Sequence, residues 1–220
     1  MGIARFIEVG ERDRLLGALH STRDQLLATL GLNTGLRVGS ILSLRWRQLW
    51  RNGGPVQVLE VPRRQLKGGR SAHRRRVLSR RVPVNAALAD AIHAFVAADF
   101  GGCEPDEEAF VFASARRAGQ PLTRQQAYNI IARAAARAGL QGTVAPHGLR
   151  RSFAGDVYEA TGHDLVATQM LLGHSSPLVT AAYLRPREDE LNAVVLRLPG
   201  TVGGRQLMPA AEPRICISGS

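Results

Sequence analysis

Residues 146–183 read PHGLRRSFAGDVYEATGHDLVATQMLLGHSSPLVTAAY. Apolar positions recur here at helical spacing, and glycines punctuate them. The pattern predicts short helices from about Leu149 to Thr161, Leu165 to Leu172 and Leu178 to Tyr183, with a further one from Glu188 to Arg197. Upstream, Thr123 is a candidate N-cap for a helix running through Ala138, with Gly139 as its stop. Leu88, Ile92, Phe95 and Val96 share one face of a helix from Asn85 to about Phe100. Leu15, Leu16, Leu19, Leu26, Leu27 and Leu30 predict one helix over roughly Asp13–Leu32. Asn33-Thr34-Gly35 breaks it, and a second helix spans about Arg37–Leu44.

The period changes only once. After the Gly53-Gly54-Pro55 turn, residues 56–61 alternate as a strand. Lys67-Gly68-Gly69 reads as a hairpin tip, and a return strand covers part of Arg75–Val84. The expected fold is therefore mainly α with one small antiparallel β-sheet (α+β). Residues 101–108 read as a loop, and from Pro199 onward no period remains, so residues 199–220 are expected to form a flexible tail.

The 220 residues carry a net charge of +11 and are 45% hydrophobic but only 5% aromatic. Aliphatic side chains must therefore fill the core, and the charge calls for a polyanionic partner, with nucleic acid the simplest. No apolar run approaches the length of a bilayer span, and the N-terminus lacks the continuous apolar segment of a signal peptide. Two cysteines far apart support neither a disulfide framework nor a zinc site. The expectation is a cytoplasmic protein with no metal, no cofactor, no small-molecule substrate and no membrane. Of the 29 basic residues, 28 are Arg and one is Lys67. A lone lysine where arginine otherwise replaces it suggests a task that arginine does poorly, such as giving up a proton.

His147 and Arg150 stand three apart at a helix start, on one face. A cation beside an imidazole suits a phosphate that needs both charge neutralisation and proton transfer. By itself this pair is an ordinary surface motif, as are Arg37 after a Thr-Gly-Leu turn, His174 after a glycine, and Tyr183. It is their order that informs. Thr34-Gly35-Leu36-Arg37, Lys67 near a hairpin tip, Pro146-His147-Gly148-Leu149-Arg150, Leu172-Gly173-His174-Ser175-Ser176 and then Tyr183 together resemble the tyrosine recombinase (phage integrase) family over about residues 8–198.

The resemblance implies a tyrosine recombinase catalytic-domain fold over residues 1–198. Because the catalytic pattern begins within about the first ten residues, the N-terminal core-binding domain that most family members carry is not expected in this chain. It implies a site-specific recombinase that cleaves and rejoins double-stranded DNA through a 3′-phosphotyrosyl intermediate, assembled as a homotetramer on DNA. In these roles Arg37 and Arg150 clamp the scissile phosphate and Tyr183 is the nucleophile. His147 manages the tyrosine proton, His174 hydrogen-bonds a phosphate oxygen, and Lys67 protonates the leaving 5′-oxygen. Arg70, Arg74, Arg75, Arg76 and Arg151 are candidate DNA contacts. Three positions depart from the family pattern: Ser40 replaces an acidic residue, Arg151 replaces a histidine, and an Arg-rich insert spans Arg70–Arg76. Two other readings stay open, a type IB topoisomerase-like nicking-closing enzyme and an inactive member that only binds DNA.

Overall fold

The computed structural model describes residues 4–66, 79–101, 103–173 and 196, and the backbone pairs 201–202 and 205–206. Two compact units divide the chain, residues 1–184 and 185–220.

In the first unit, helices α1 (Val9–Gly17) and α2 (Thr22–Thr34) replace the single helix that leucine spacing predicts. The break has a local cause. Ser21 is extended, and its hydroxyl accepts from the Asp24 N–H, so a new helix starts there. α2 is the central element. Leu26, Leu27 and Leu30 enter one apolar cluster with Trp46, Leu59, Leu88, Ile92 and Phe95. Ala28 and Leu32, on its other side, enter a second cluster with Ile7, Leu15, Ile131, Ala134 and Leu149. Gly31 permits that second contact, since a Cβ there would stand 2.9 Å from Leu149 Cβ.

α2 ends at Gly35, which is left-handed (φ 57°). α3 (Val38–Leu42) follows, with Arg37 as its N-cap. A two-residue pairing, β1 (Trp50–Arg51) with β2 (Gly54–Pro55), precedes the main hairpin. There β3 (Val58–Val61) pairs antiparallel with β4 (Arg80–Pro83), placing Leu59 opposite Val82 and Val61 opposite Arg80. Both strands fall within the predicted ranges. The hairpin tip, including Lys67, lies outside the described residues.

α4 (Ala86–Phe100), α5 (Arg124–Arg137) and α7 (Leu165–Leu172) match their predicted spans closely. Asn85, Thr123 and Asp164 cap them through side-chain oxygens. α6 (Pro146–Ala160) starts earlier than predicted, because Pro146 at its first turn lacks only an N–H that no helix needs. The architecture is mainly helical with small antiparallel sheets, as expected. In the second unit Thr201–Val202 pairs with Arg205–Gln206, where the sequence predicts no element. The helices expected over residues 178–183 and 188–197 fall almost wholly outside the described residues, as does residue 198, the expected domain boundary.

Candidate active site

The described candidate residues stand at or beside helix ends. α2 stops at Thr34, and the left-handed Gly35 turns the chain. Two residues later Arg37 emerges at the start of α3, half-buried. Only glycine fits the turn, because a Cβ at residue 35 would lie 2.3 Å from the Phe153 ring. The first turn of α6 carries His147, and the next carries Arg150. α7 ends at Leu172 with a second left-handed glycine, Gly173 (φ 62°), one residue before His174.

Arg150 is 2% exposed. Its guanidinium donates to the Gly35 carbonyl and, at 3.0 Å, to the Leu172 carbonyl. These are terminal carbonyls of α2 and α7, which have no partner within their helices and carry the negative end of the helix dipole. Arg150 is thus held in place by the segments leading to Arg37 and to His174.

His147 stays solvent-accessible as a residue. Desolvation lowers its pKa from the ordinary value, and the positive charges of Arg150, Arg151 and Arg37 lower it further. Both effects favour the neutral imidazole over the imidazolium. The structure therefore brings Arg37, His147 and Arg150 into one electrostatic neighbourhood. Lys67, His174, Tyr183, Arg70, Arg74, Arg75 and Arg76 lie outside the described residues.

Arg151, offered above as a DNA contact, is placed otherwise. It is 6% exposed, donates to the Ala4 carbonyl at 2.9 Å, and stacks 4.9 Å over the Phe6 ring. It fastens the N-terminal segment to α6. Ser40, the other departure, is buried in α3 and donates its hydroxyl to the Gln65 carbonyl at 2.8 Å. Gln65 in turn donates to the Ser43 carbonyl at 2.6 Å. A neutral hydroxyl thereby anchors the segment that leads into Lys67.

Arg80 escaped the sequence reading. It is one of 28 arginines, in a strand beside Arg81, and nothing local distinguishes it. Its guanidinium donates to the Thr34 carbonyl at 2.7 Å and to the Leu171 carbonyl. Burial, then the charges of Arg150 and Arg37, push its pKa down to about 10, so it stays cationic at neutral pH. Among the described residues no cluster of His, Cys, Asp and Glu could hold a metal, and no helix is long and apolar enough to cross a membrane.

A helical domain with a small hairpin, and two arginines with a histidine at the ends of its helices, is the framework the family resemblance implies. The profile of the phage integrase family matches residues 5–190. The chain belongs to the phage integrase family. It is 35% identical over 161 residues to tyrosine recombinase XerC of Xanthomonas campestris pv. campestris (strain B100), covering 73% of this chain and 44% of that protein. It is 29% identical over 171 residues to the probable integrase/recombinase YoeC of Bacillus subtilis (strain 168), covering 78% and 82%. The matched region spans less than half the length of that XerC. In fold the chain is similar to XerA recombinase, with a TM-score of 0.67, 21% identity and coverage of 91% of this chain and 68% of XerA. It is also similar to XerH site-specific recombinase bound to difH substrate, with a TM-score of 0.63, 22% identity and coverage of 89% and 55%.

Proposed function

We propose that the chain is a DNA strand transferase of the site-specific recombinase type, with residues 1–198 as its catalytic domain. The observation that carries this is the placing of Arg37 at the start of α3 and of His147 and Arg150 at the start of α6, with Arg150 bonded to the Gly35 carbonyl two residues before Arg37, a cationic cluster suited to an anion. In a family member, the fitting anion is the scissile phosphate of duplex DNA. XerH with its difH substrate offers a parallel for such a partner.

The chemistry assigns each group a task. The Tyr183 oxygen attacks phosphorus, and the bond from phosphorus to the 5′-oxygen breaks. The products are a 3′-phosphotyrosyl link and a 5′-hydroxyl. Charge grows on the nonbridging oxygens, and the forked guanidiniums of Arg37 and Arg150 meet it. His147 takes the phenolic proton, Lys67 supplies a proton to the departing 5′-oxygen, and His174 donates to a phosphate oxygen. The bond energy is conserved in the covalent link, so rejoining reverses the step. Arg70, Arg74, Arg75 and Arg76 add phosphate contacts flanking the site. Recombination of two duplexes calls for four protomers, so a homotetramer on DNA, working at the bacterial nucleoid, is part of this reading.

The test is a nicked suicide duplex, in which the cleaved end diffuses away and traps the adduct. The wild-type chain should form a covalent protein–DNA adduct. Tyr183→Phe should form none while binding the duplex with nearly unchanged affinity, because affinity comes mainly from phosphate contacts. An adduct formed by the Tyr183→Phe variant would move the nucleophile to Tyr128 or Tyr158. Adducts without strand exchange between duplexes would favour nicking-closing chemistry, and binding without adducts an inactive member.

A further inference from the structure

Arg80 and Arg150 hold the same two helix ends in the same manner. Arg80 donates to Thr34 and Leu171, and Arg150 donates to the next residue of each end, Gly35 and Leu172. Two guanidiniums thus form successive rungs between the C-terminus of α2 and the C-terminus of α7. We propose that Arg80 is a positioning residue of this site, the second rung that sets how α2 delivers Arg37 and how α7 delivers the segment after Gly173.

Three observations support this. First, the carbonyls it engages are terminal ones, which lack intrahelical donors and attract cations. Second, Arg80 comes from a different element than Arg150. It begins β4, the strand leaving the hairpin tip that contains Lys67, and it sits opposite Val61 in β3. The rung therefore ties the hairpin to both helix ends, as Ser40 and Gln65 tie the hairpin's other foot to α3. Third, the arginine stem runs beside the turn, since a Cβ at Gly173 would stand 3.9 Å from Arg80 Cδ.

The electrostatics run against a role in stability alone. Arg80 faces the charges of Arg150 and Arg37, and burial further disfavours its own charge. A residue selected only to tie carbonyls together could be neutral. A third cation held here instead deepens the positive field at the place where the two clamp arginines meet their anion.

The kinetic part rests on the strand-transferase reading, so the experiment has one arm that depends on cleavage and one that does not. The wild-type chain, Arg80→Ala, Arg80→Gln and Arg80→Lys are compared in single-turnover cleavage of the suicide duplex at saturating protein, well below each variant's melting temperature. Arg80→Ala should cleave roughly 10- to 100-fold more slowly, the scale expected for misplacing a reacting group by about an ångström. Its duplex affinity should change by less than about threefold, because phosphate contacts elsewhere dominate. Arg80→Lys, which keeps the charge and one donor, should recover part of the rate, and neutral Arg80→Gln should recover less. Independently, hydrogen exchange of the DNA-free proteins should quicken in Arg80→Ala at the ends of α2 and α7 and stay unchanged in α4 and α5. Cleavage by Arg80→Ala at the wild-type rate would overturn the proposal. So would rate losses that merely track lost affinity or lost folded protein, or unchanged exchange at both helix ends. If the wild type forms no adduct, the strand-transferase reading fails and the exchange pattern alone decides the rung. If Arg80→Ala does not fold, the Lys and Gln variants carry both arms.

Discussion

His147 sits among arginines, and its titration should report them. Its pKa is lowered by desolvation first and then by the charges of Arg150, Arg151 and Arg37. A histidine whose folded pKa lies below its unfolded value of 6.5 favours folding in its neutral form. That contribution is present above pH 6.5 and is lost as pH falls through the lower folded value. The melting temperature of the wild type should therefore fall more steeply below pH 6.5 than that of His147→Gln. The residue reaches solvent, so a difference in slope is expected, not a collapse. Equal slopes would mean that neither burial nor the arginine charges disfavour the protonated ring. Lys67 offers a chemical test at the same scale. Lys67→Ala should slow cleavage by about 10²–10⁴-fold, the range of general acid catalysis. Lys67→Arg should be nearly as slow, because arginine keeps its proton. A 5′-bridging sulfur makes a leaving group that needs no proton. The Lys67 variants should recover on that substrate while Arg37→Ala stays slow. A Lys67→Ala protein equally impaired on sulfur would show a role other than proton donation.

Among the elements, the end of α2 is the most constrained. Gly35 holds a positive φ, its Cβ position is occupied by the Phe153 ring, and its carbonyl accepts from Arg150. Gly35→Ala combines a left-handed alanine with a steric clash against Phe153, and should cost about 2–4 kcal/mol in denaturant unfolding. Losses well below 1 kcal/mol would mean that Phe153 yields easily and that the turn is not tightly set. Gly31→Ala, in mid-helix, meets Leu149. It should destabilise the fold and, by pressing on the α6 turn that lies between His147 and Arg150, should also slow cleavage per folded molecule.

For the whole molecule the governing quantity is charge. At +11, duplex binding should be dominated by counterion release. Affinity should drop on the order of 10³-fold between 50 and 200 mM salt if about six phosphates are engaged. A titration of affinity against salt concentration reads this directly. A flat dependence would remove the polyanion argument and leave the arginines as a solvated surface. Arg5, Arg12, Arg47 and Arg81 already pair with Glu11, Asp156, Glu108 and Glu60. The slope should therefore come mainly from other arginines.

Much of this protein is readable residue by residue. The apolar spacing and local capping residues of α4, α5 and α7 determine those helices locally, so α4 and α5 start where Asn85 and Thr123 indicate. The order of Arg37, His147 and Arg150 is likewise in the sequence, since each belongs to a short motif with recognisable flanks. The break between α1 and α2 was hidden because the leucine pattern runs through it. Leu15 and Leu26 serve different clusters, which a period cannot tell apart. Only the tertiary structure assigned the arginines. Arg80, Arg150 and Arg151 are chemically identical, and an arginine's role depends on which acceptors the fold brings within reach. Arg151 met the Ala4 carbonyl and the Phe6 ring, distant in sequence, and became a structural tie. Arg80 met the ends of two helices that begin far from it along the chain. Terminal helix carbonyls attract a cation wherever packing delivers one, and that delivery is a property of the fold.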